Sequence, residues 1–358
     1  MFDNDKFAAL LCDWCLEAQA GQRIVVAAPT TAEPLISAVH GALLKREVWP
    51  FLLIQTADQN EQRVEHAQEI HLDSEDPMLA ALFETMDASL RIGAPTNTRG
   101  LSEADPARLG RLMKANAGLQ QRLLAKRWAL TLWPTPALAQ EANMSLAAYE
   151  RFVTRALFLD RPDPIVAWQE LSARQQQLVE RLSSARTVRI QSERTDLTLD
   201  VTGRTWINSD GKRNMPSGEV FTSPHEASAT GQIFFDIPSN HNGTTVSGVA
   251  LTLVDGVVTE ARADQGDERL QAELATDPGA RRLGEVGIGT NDGIDRQTGS
   301  TLMDEKIGGT LHLALGRSYA ECGGVNASAI HWDIVCDLRQ GGEIAVDGEV
   351  LSRDGQFV

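Results

Sequence analysis

The groups best suited to chemistry lie in the second half of the chain. The stretch SAIHWDIVCDL (328–338), taken as a strand, sorts its side chains by parity. Ile330, Trp332, Ile334, Cys336 and Leu338 share an apolar face, while His331, Asp333, Val335 and Asp337 share the other. An imidazole and a carboxylate side by side on so apolar a strand either look at water or aim at one metal ion. Two glutamates offer matching groups: Glu219 in NMPSGEVFTSP and Glu285 in LGEVGIGTN, both in short glycine-punctuated strands. A carboxylate buried in such a strand needs a partner, either a cation or one of Arg204, Arg213, Arg281 and Arg282. His312 lies in DEKIGGTLHLALGRSY, where a helix over 304–319 places Glu305, Gly308, Gly309, Leu315, Gly316 and Tyr319 on its side. Each helical glycine costs about 1 kcal/mol relative to alanine, so the pattern asks for the close approach of a backbone or a ligand. Taken singly, each of these residues also has a purely structural reading.

Other chemistry is weaker. Cys12 and Cys15 form a C-x-x-C, but it sits in a helix-like apolar run with Leu10, Leu11, Trp14 and Leu16, with no second pair at matching spacing. Core packing is expected there. His66 and His71 are five apart and diverge by roughly 140° on a helix, so they are no H-E-x-x-H zinc motif. His40 and His241 have no evident partners in the sequence. No G-x-G-x-x-G follows any strand, which leaves dinucleotide binding unsupported.

The elements that must position these groups fall into two textures. Through residue 185, helices alternate with apolar strands: a helix over 5–19, strands at 22–29, 48–55, 89–96 and 127–135, and helices at 104–125 and 146–185. Thr30 and Glu33 have capping-box spacing before a helix that runs to Arg46. This order predicts a parallel sheet covered by helices. From residue 186 onward short alternating strands dominate, with Asp255-Gly256 and Asp347-Gly348 as hairpin turns. The expected organisation is an α/β domain over 1–185 and a mainly antiparallel, β-rich domain over 186–358 carrying the site.

The bulk properties narrow the function. The chain has 358 residues, is 42% apolar, and carries a formal charge of −16, which opposes binding to nucleic acid or to an anionic membrane. No apolar run is long enough to span a bilayer, and the opening MFDNDKF has no apolar core of a signal peptide. A cytoplasmic protein is expected.

The motifs NMPSGEVFTSP, LGEVGIGTN, LHLALGRSY and SAIHWDIVCDL stand in the order found in the aminopeptidase T and aminopeptidase S family, which the chain resembles over its whole length, including RWALTLWPTPALAQ and GRTWINSDGKRNMP. The resemblance implies a metal-dependent aminopeptidase acting on peptides with a free N-terminus. It also implies an α/β N-terminal domain, a β-rich metal-binding domain and a homodimer. Carried over motif by motif, the implied metal ligands are Glu219, Glu285, His312, Tyr319, His331 and Asp333. Two imidazoles, three carboxylates and a phenol suit Zn, Co or Mn, and three carboxylates balance most of the charge on two dications per chain. Glu305 is a candidate general acid or base. Glu226 follows the first motif and is a second, while the neighbouring His225 belongs to none of the motifs. The same superfamily contains Fe(II)-dependent ring-cleaving dioxygenases, for which His312, His331 and Asp333 suffice; Glu219 and Glu285 are then unexplained. A non-catalytic homologue leaves the intact ligand set without purpose.

Overall fold

Buried parallel strands read as continuous apolar runs because both faces are covered, and RIVVAAP does so as an inner strand of the first unit's sheet. The computed structural model describes residues 2–241 and 243–358. The chain divides into two compact units, Met1–Ala167 with Gly211–Pro216, and Trp168–Asp210 with Ser217–Val358.

The first unit holds a five-stranded sheet in the order Trp49–Gln55, Arg23–Pro29, Ala88–Gly93, Arg127–Leu132, Asn214–Met215. Every pairing in it is parallel. Its fifth strand is supplied by the returning segment 211–216, where the Thr131 hydroxyl donates to the Met215 carbonyl at 2.6 Å. The Thr30–Glu33 capping box does not form. Thr30–Ala32 is a 3₁₀ turn, the helix Glu33–Leu44 starts without a side-chain cap, and the Thr31 hydroxyl donates to Ala94 instead. The helix expected over 104–125 is two, Pro106–Ala115 and Ala117–Leu124, divided at Asn116. The run over 146–185 is likewise two, Leu146–Ala156 and Pro164–Leu182. Cys12 and Cys15 are buried beside Leu10, Leu11 and Leu16, in a helical segment whose last turn is π-wound.

The second unit is antiparallel. An eight-stranded sheet runs Val257–Arg262, Val249–Val254, Thr230–Phe235, Thr195–Asp200, Thr187–Ser192, Glu343–Val346, Glu349–Arg353, Gln356–Phe357. Both Asp-Gly dipeptides make the turns of its hairpins. A five-stranded sheet runs His331–Asp337, Thr310–Gly316, Leu283–Gly289, Glu219–Thr222, Ile207–Ser209. One core joins the two, with Ile190, Leu197, Phe235 and Leu251 from the first and Val220, Val286, Leu313, Trp332 and Ile334 from the second. Leu178 and Leu182, at the end of the Pro164–Leu182 helix, belong to this core. That burial is why the division falls at 167/168 rather than at the change of texture near 186.

The helix expected over 304–319 is absent. Helix is confined to Thr301–Asp304, and Thr310–Gly316 is a fully buried strand carrying His312. Gly309 (φ +81°) and Gly316 (φ +98°) bracket that strand in a conformation no helix interior allows. The seven-residue run TLHLALG is short and buried at every position, and such a run has no period that separates a buried strand from a helix.

Candidate metal centre

Parity on the five-stranded sheet sets the site. Val220, Val286, Ile288, Leu311, Leu313, Leu315, Trp332, Ile334 and Cys336 point into the core. The alternate residues Glu219, Glu285, His312, His331 and Asp333 therefore share the other face. The cross-strand register stacks them: Glu219 lies opposite Gly289, His312 opposite Gly287 and Val335, and Ala314 opposite both Glu285 and Asp333. Gly287 makes room for the imidazole, since a Cβ there would stand 2.2 Å from His312 Nε2.

The five side chains form a line in which carboxylates and imidazoles alternate. His312 Nε2 is 3.4 Å from Glu219 Oε2 and 3.4 Å from Glu285 Oε1. The other oxygen of Glu285 is 3.2 Å from His331 Nε2, which is 3.5 Å from Asp333 Oδ1. Two groups with metal-ligand spacing result, Glu219–Glu285–His312 and Glu285–His331–Asp333, sharing Glu285. Tyr319 follows the His312 strand; its backbone N–H donates to Ser223 Oγ, and its hydroxyl lies 3.2 Å from His331 Nε2. His331 Nδ1 donates to the Arg317 carbonyl at 2.7 Å, which turns Nε2 toward the cluster. His312 Nδ1 has no such acceptor among the described residues. Trp332, between the two ligand-type residues, is buried in the core and donates from Nε1 to Ser239.

Burial and charge act against each other here. Burial resists protonation of His312, but Glu285 and Glu219 outweigh it and hold the imidazole up to about 9. For His331, burial is likewise outweighed by Asp333 and Glu285, which raise it to about 11. Burial also opposes the charge on Asp333, yet His331, His312 and Lys306 keep that carboxyl below the ordinary range. Burial, reinforced by Glu285 and Asp333, pushes the Tyr319 phenol up. This face thus stabilises positive charge between its carboxylates, whether on protons or on cations.

The donor set fits a divalent metal. Asp333 Oδ1 is buried without a hydrogen-bond partner among the described residues, so its lone pairs are available on the cluster side. Nitrogen and oxygen donors without thiolate match Zn, Co or Mn rather than Cu(I) or iron–sulfur.

Several expectations need correction. None of the four arginines pairs with Glu219 or Glu285. Arg204 pairs with Glu226 at 2.8 Å, Arg281 and Arg282 donate to backbone carbonyls, and Arg213 lies over the Trp128 ring. Glu226 also accepts from the Val325 N–H, which with Arg204 holds its carboxyl low despite burial. It ties a loop and is ill suited to carry a proton. His225 bridges Arg204 and the Thr202 carbonyl. His241 does have partners: it stacks on Trp332 at 4.5 Å and lies 3.2 Å from Glu273. His66 and His71 are exposed on separate helices, and His40 is half-buried on the helix Glu33–Leu44.

Glu305 reaches the cluster, though not by sharing a helix face with His312. It follows the short helix Thr301–Asp304, contacts Lys306 Nζ, and its carboxyl is pushed up to about 8 by burial, with Glu219 and Asp333 adding to the rise against the pull of Lys306. Lys306 itself is the residue that sequence reasoning missed. It is wholly buried, 3.6 Å from Glu219 Oε1. The run Asp304-Glu305-Lys306 looks like a solvated surface patch, and all three residues are buried. Asp304 accepts from the Thr298 and Gly299 backbone N–H groups and so fixes the start of this segment.

A buried carboxylate–imidazole face on an antiparallel sheet, in a chain whose other unit holds a parallel α/β sheet, defines a class of metalloprotein, and the comparisons narrow it to a family. The model of the thermophilic metalloprotease (M29) family matches residues 3–357, and the chain belongs to that family. Aminopeptidase 2 of Geobacillus stearothermophilus is 31% identical, over 98% of this chain and 94% of its own length. Aminopeptidase T of Thermus thermophilus is 29% identical, over 88% of this chain and 85% of its own. The solved structure of AmpT from Thermus thermophilus covers 99% of this chain and 98% of its own, with a TM-score of 0.86 and 25% identity. A 2,5-dihydroxypyridine dioxygenase from Pseudomonas putida shares the fold at a TM-score of 0.58 and 15% identity, over 99% of this chain and 96% of its own.

Proposed function

We propose that this chain is a metallo-aminopeptidase that removes single residues from peptides with a free N-terminus. The carrying observation is the alternating line Glu219–His312–Glu285–His331–Asp333, with Glu285 within reach of both imidazoles. In this reading those five residues and Tyr319 would hold two divalent cations, Zn, Co or Mn, with Glu285 within reach of both imidazoles. When bound, a pair of dications supplies Lewis acidity and makes hydroxide available near neutral pH. The protein's own residues do the rest. Glu219, Glu285 and Asp333 offset the positive charge, and Arg317 fixes the His331 tautomer through Nδ1. Glu305, buried beside the cluster and in contact with Lys306, is the candidate general acid or base for the leaving amine. The free α-amine of the substrate, with its lone pair, would be held at this cluster, which aligns the first peptide bond, and an acetylated amine would lose that contact.

The iron dioxygenase reading needs His312, His331 and Asp333 to act together. His312 is instead grouped with Glu219 and Glu285, while His331 and Asp333 are grouped with Glu285. We further place the protein in the cytoplasm as a homodimer. Among the described residues no helix is long and apolar enough to cross a membrane.

The test is hydrolysis of Leu-p-nitroanilide against acetyl-Leu-p-nitroanilide, with and without chelator. We expect turnover of the first only, lost on chelation and restored by Zn, Co or Mn. Comparable turnover of the acetylated substrate points to an endopeptidase or amidase. Failure on both, with oxygen uptake on a dihydroxypyridine and Fe(II), favours the dioxygenase.

A further inference from the structure

Lys306 is a wholly buried lysine for which the proposed reaction has no use. An ammonium group is costly to bury unless paired and hydrogen-bonded. Its partners are both acids of the site: Glu305, which it contacts directly, and Glu219, whose Oε1 is 3.6 Å from Nζ. The two oxygens of Glu219 are therefore used differently. Oε2 faces His312 Nε2 at 3.4 Å and lies on the metal side, whereas Oε1 faces the ammonium.

The backbone fixes both ends of this contact. Glu219 is paired with Gly289 in the sheet, and a Cβ on Gly289 would stand 2.1 Å from the Ile307 carbonyl oxygen. The Lys306–Ile307 backbone thus passes directly against the strand pair that carries Glu219. The buried residue Asn291 locks it there: its N–H donates to the Lys306 carbonyl at 3.1 Å, and its side-chain amide donates to the Ser217 carbonyl at 2.8 Å, two residues before Glu219. A lysine needed only for charge balance could stand on any side of the acids. This one is anchored facing Oε1 of Glu219, while His312 faces Oε2.

We propose that Lys306 is a positioning residue that withholds Oε1 of Glu219 from the metal centre. The glutamate then offers one oxygen ligand, and a coordination position stays open for water or substrate. The inference rests on the metal-binding reading above. A carboxylate that binds through both oxygens closes two positions, and catalytic sites differ from structural ones by keeping a position open.

Cobalt reports coordination number directly, because its visible absorption weakens as more ligands bind. The experiment loads wild type, Lys306→Met and Lys306→Gln with Co(II), and measures bound cobalt, visible spectrum, melting temperature and kcat. For Lys306→Met we expect full cobalt uptake, a several-fold weaker visible absorption, and a kcat about 10–100-fold lower. Lys306→Gln keeps a polar group facing Oε1 without the charge and should stay closer to wild type in the spectrum than Lys306→Met. A purely structural lysine would lower the melting temperature and leave the spectrum of the loaded protein unchanged; that outcome overturns the proposal. If neither variant folds, a structure of zinc-loaded wild type decides it. One Glu219 oxygen at about 2.0–2.2 Å from zinc, with the other on Lys306, supports the inference, and two oxygens on the metal sink it. A wild-type protein that takes up no cobalt defeats the metal-binding reading itself, a result distinct from loaded protein with an unaltered spectrum.

Discussion

Gly287 and His312 show how much of the site rests on single atoms. The imidazole crosses the neighbouring strand where a Cβ would stand 2.2 Å from Nε2. Gly287→Ala should push the ring off Glu219 and Glu285, weakening metal binding by about 10–100-fold; chelator competition would measure it, and unchanged affinity would mean that His312 is not a ligand. The same imidazole sets a pH dependence. In the metal-free protein His312 titrates near 9 and His331 near 11, both above the ordinary histidine value of 6.5. Folding thus favours their protonated forms, so the stability they contribute is full below about pH 6.5 and is lost as pH rises through those folded-state values. Metal-free protein should melt at a lower temperature at about pH 9.5 than at about pH 6.5. Saturating zinc should offset this decline, because ligands bind deprotonated and metal affinity rises with pH. A melting temperature of the metal-free protein that is flat or rising over that range would contradict the assigned charges. At this scale the sequence was informative where a residue type is rare in its setting, as with His331 beside Asp333 on an apolar strand. Lys306 and Gly287 were not legible. A lysine in a charged run has the signature of a surface residue, and a glycine's close neighbour is a fact of register.

Trp332 is the element-scale counterpart of its two neighbours. It is 2% exposed and packs into the core behind the carboxylate–imidazole face, where His241 stacks on it. Trp332→Ala should destabilise the second unit by about 3–5 kcal/mol, read from denaturant unfolding. His331→Ala and Asp333→Ala should keep the fold and lose metal and activity. A Trp332→Ala protein as stable as wild type would mean that the strand faces the other way. Parity made this strand readable, since it has seven residues and a clean apolar face. The Asp-Gly hairpins were readable because their turn chemistry is specific. The His312 strand failed the same treatment. With residues of both parities buried, Thr310–Gly316 carries no alternation, and Gly309 and Gly316 have the sequence signature of helical close contacts although they are positive-φ brackets. The Thr30 capping box failed for a related reason: spacing alone does not reveal that the neighbouring Thr31 hydroxyl is engaged by Ala94.

At the scale of the whole molecule, all six proposed ligands fall in the second of the two units. The change from alternating helix and strand to paired short strands was visible in the sequence near residue 186. The burial of Leu178 and Leu182 under the β-rich core was not, and neither was the return of residues 211–216 to the parallel sheet. Both depend on contacts between distant parts of the chain that local pattern does not encode. The confinement of the ligands to one unit makes a final prediction. Metal would replace the protons that otherwise hold positive charge between the three buried carboxylates, so metal should stabilise that sheet selectively. Binding at a hundredfold excess over Kd adds about 2.7 kcal/mol per site, enough to slow amide exchange in the elements that supply ligands. Zinc added to metal-free protein should therefore reach two per chain. Hydrogen exchange should slow in Glu219–Thr222, Leu283–Gly289, Thr310–Gly316 and His331–Asp337, while the parallel strands Arg23–Pro29 and Ala88–Gly93 change little. One zinc per chain at saturation would remove the dinuclear centre. Protection concentrated in the parallel sheet would place the metal elsewhere.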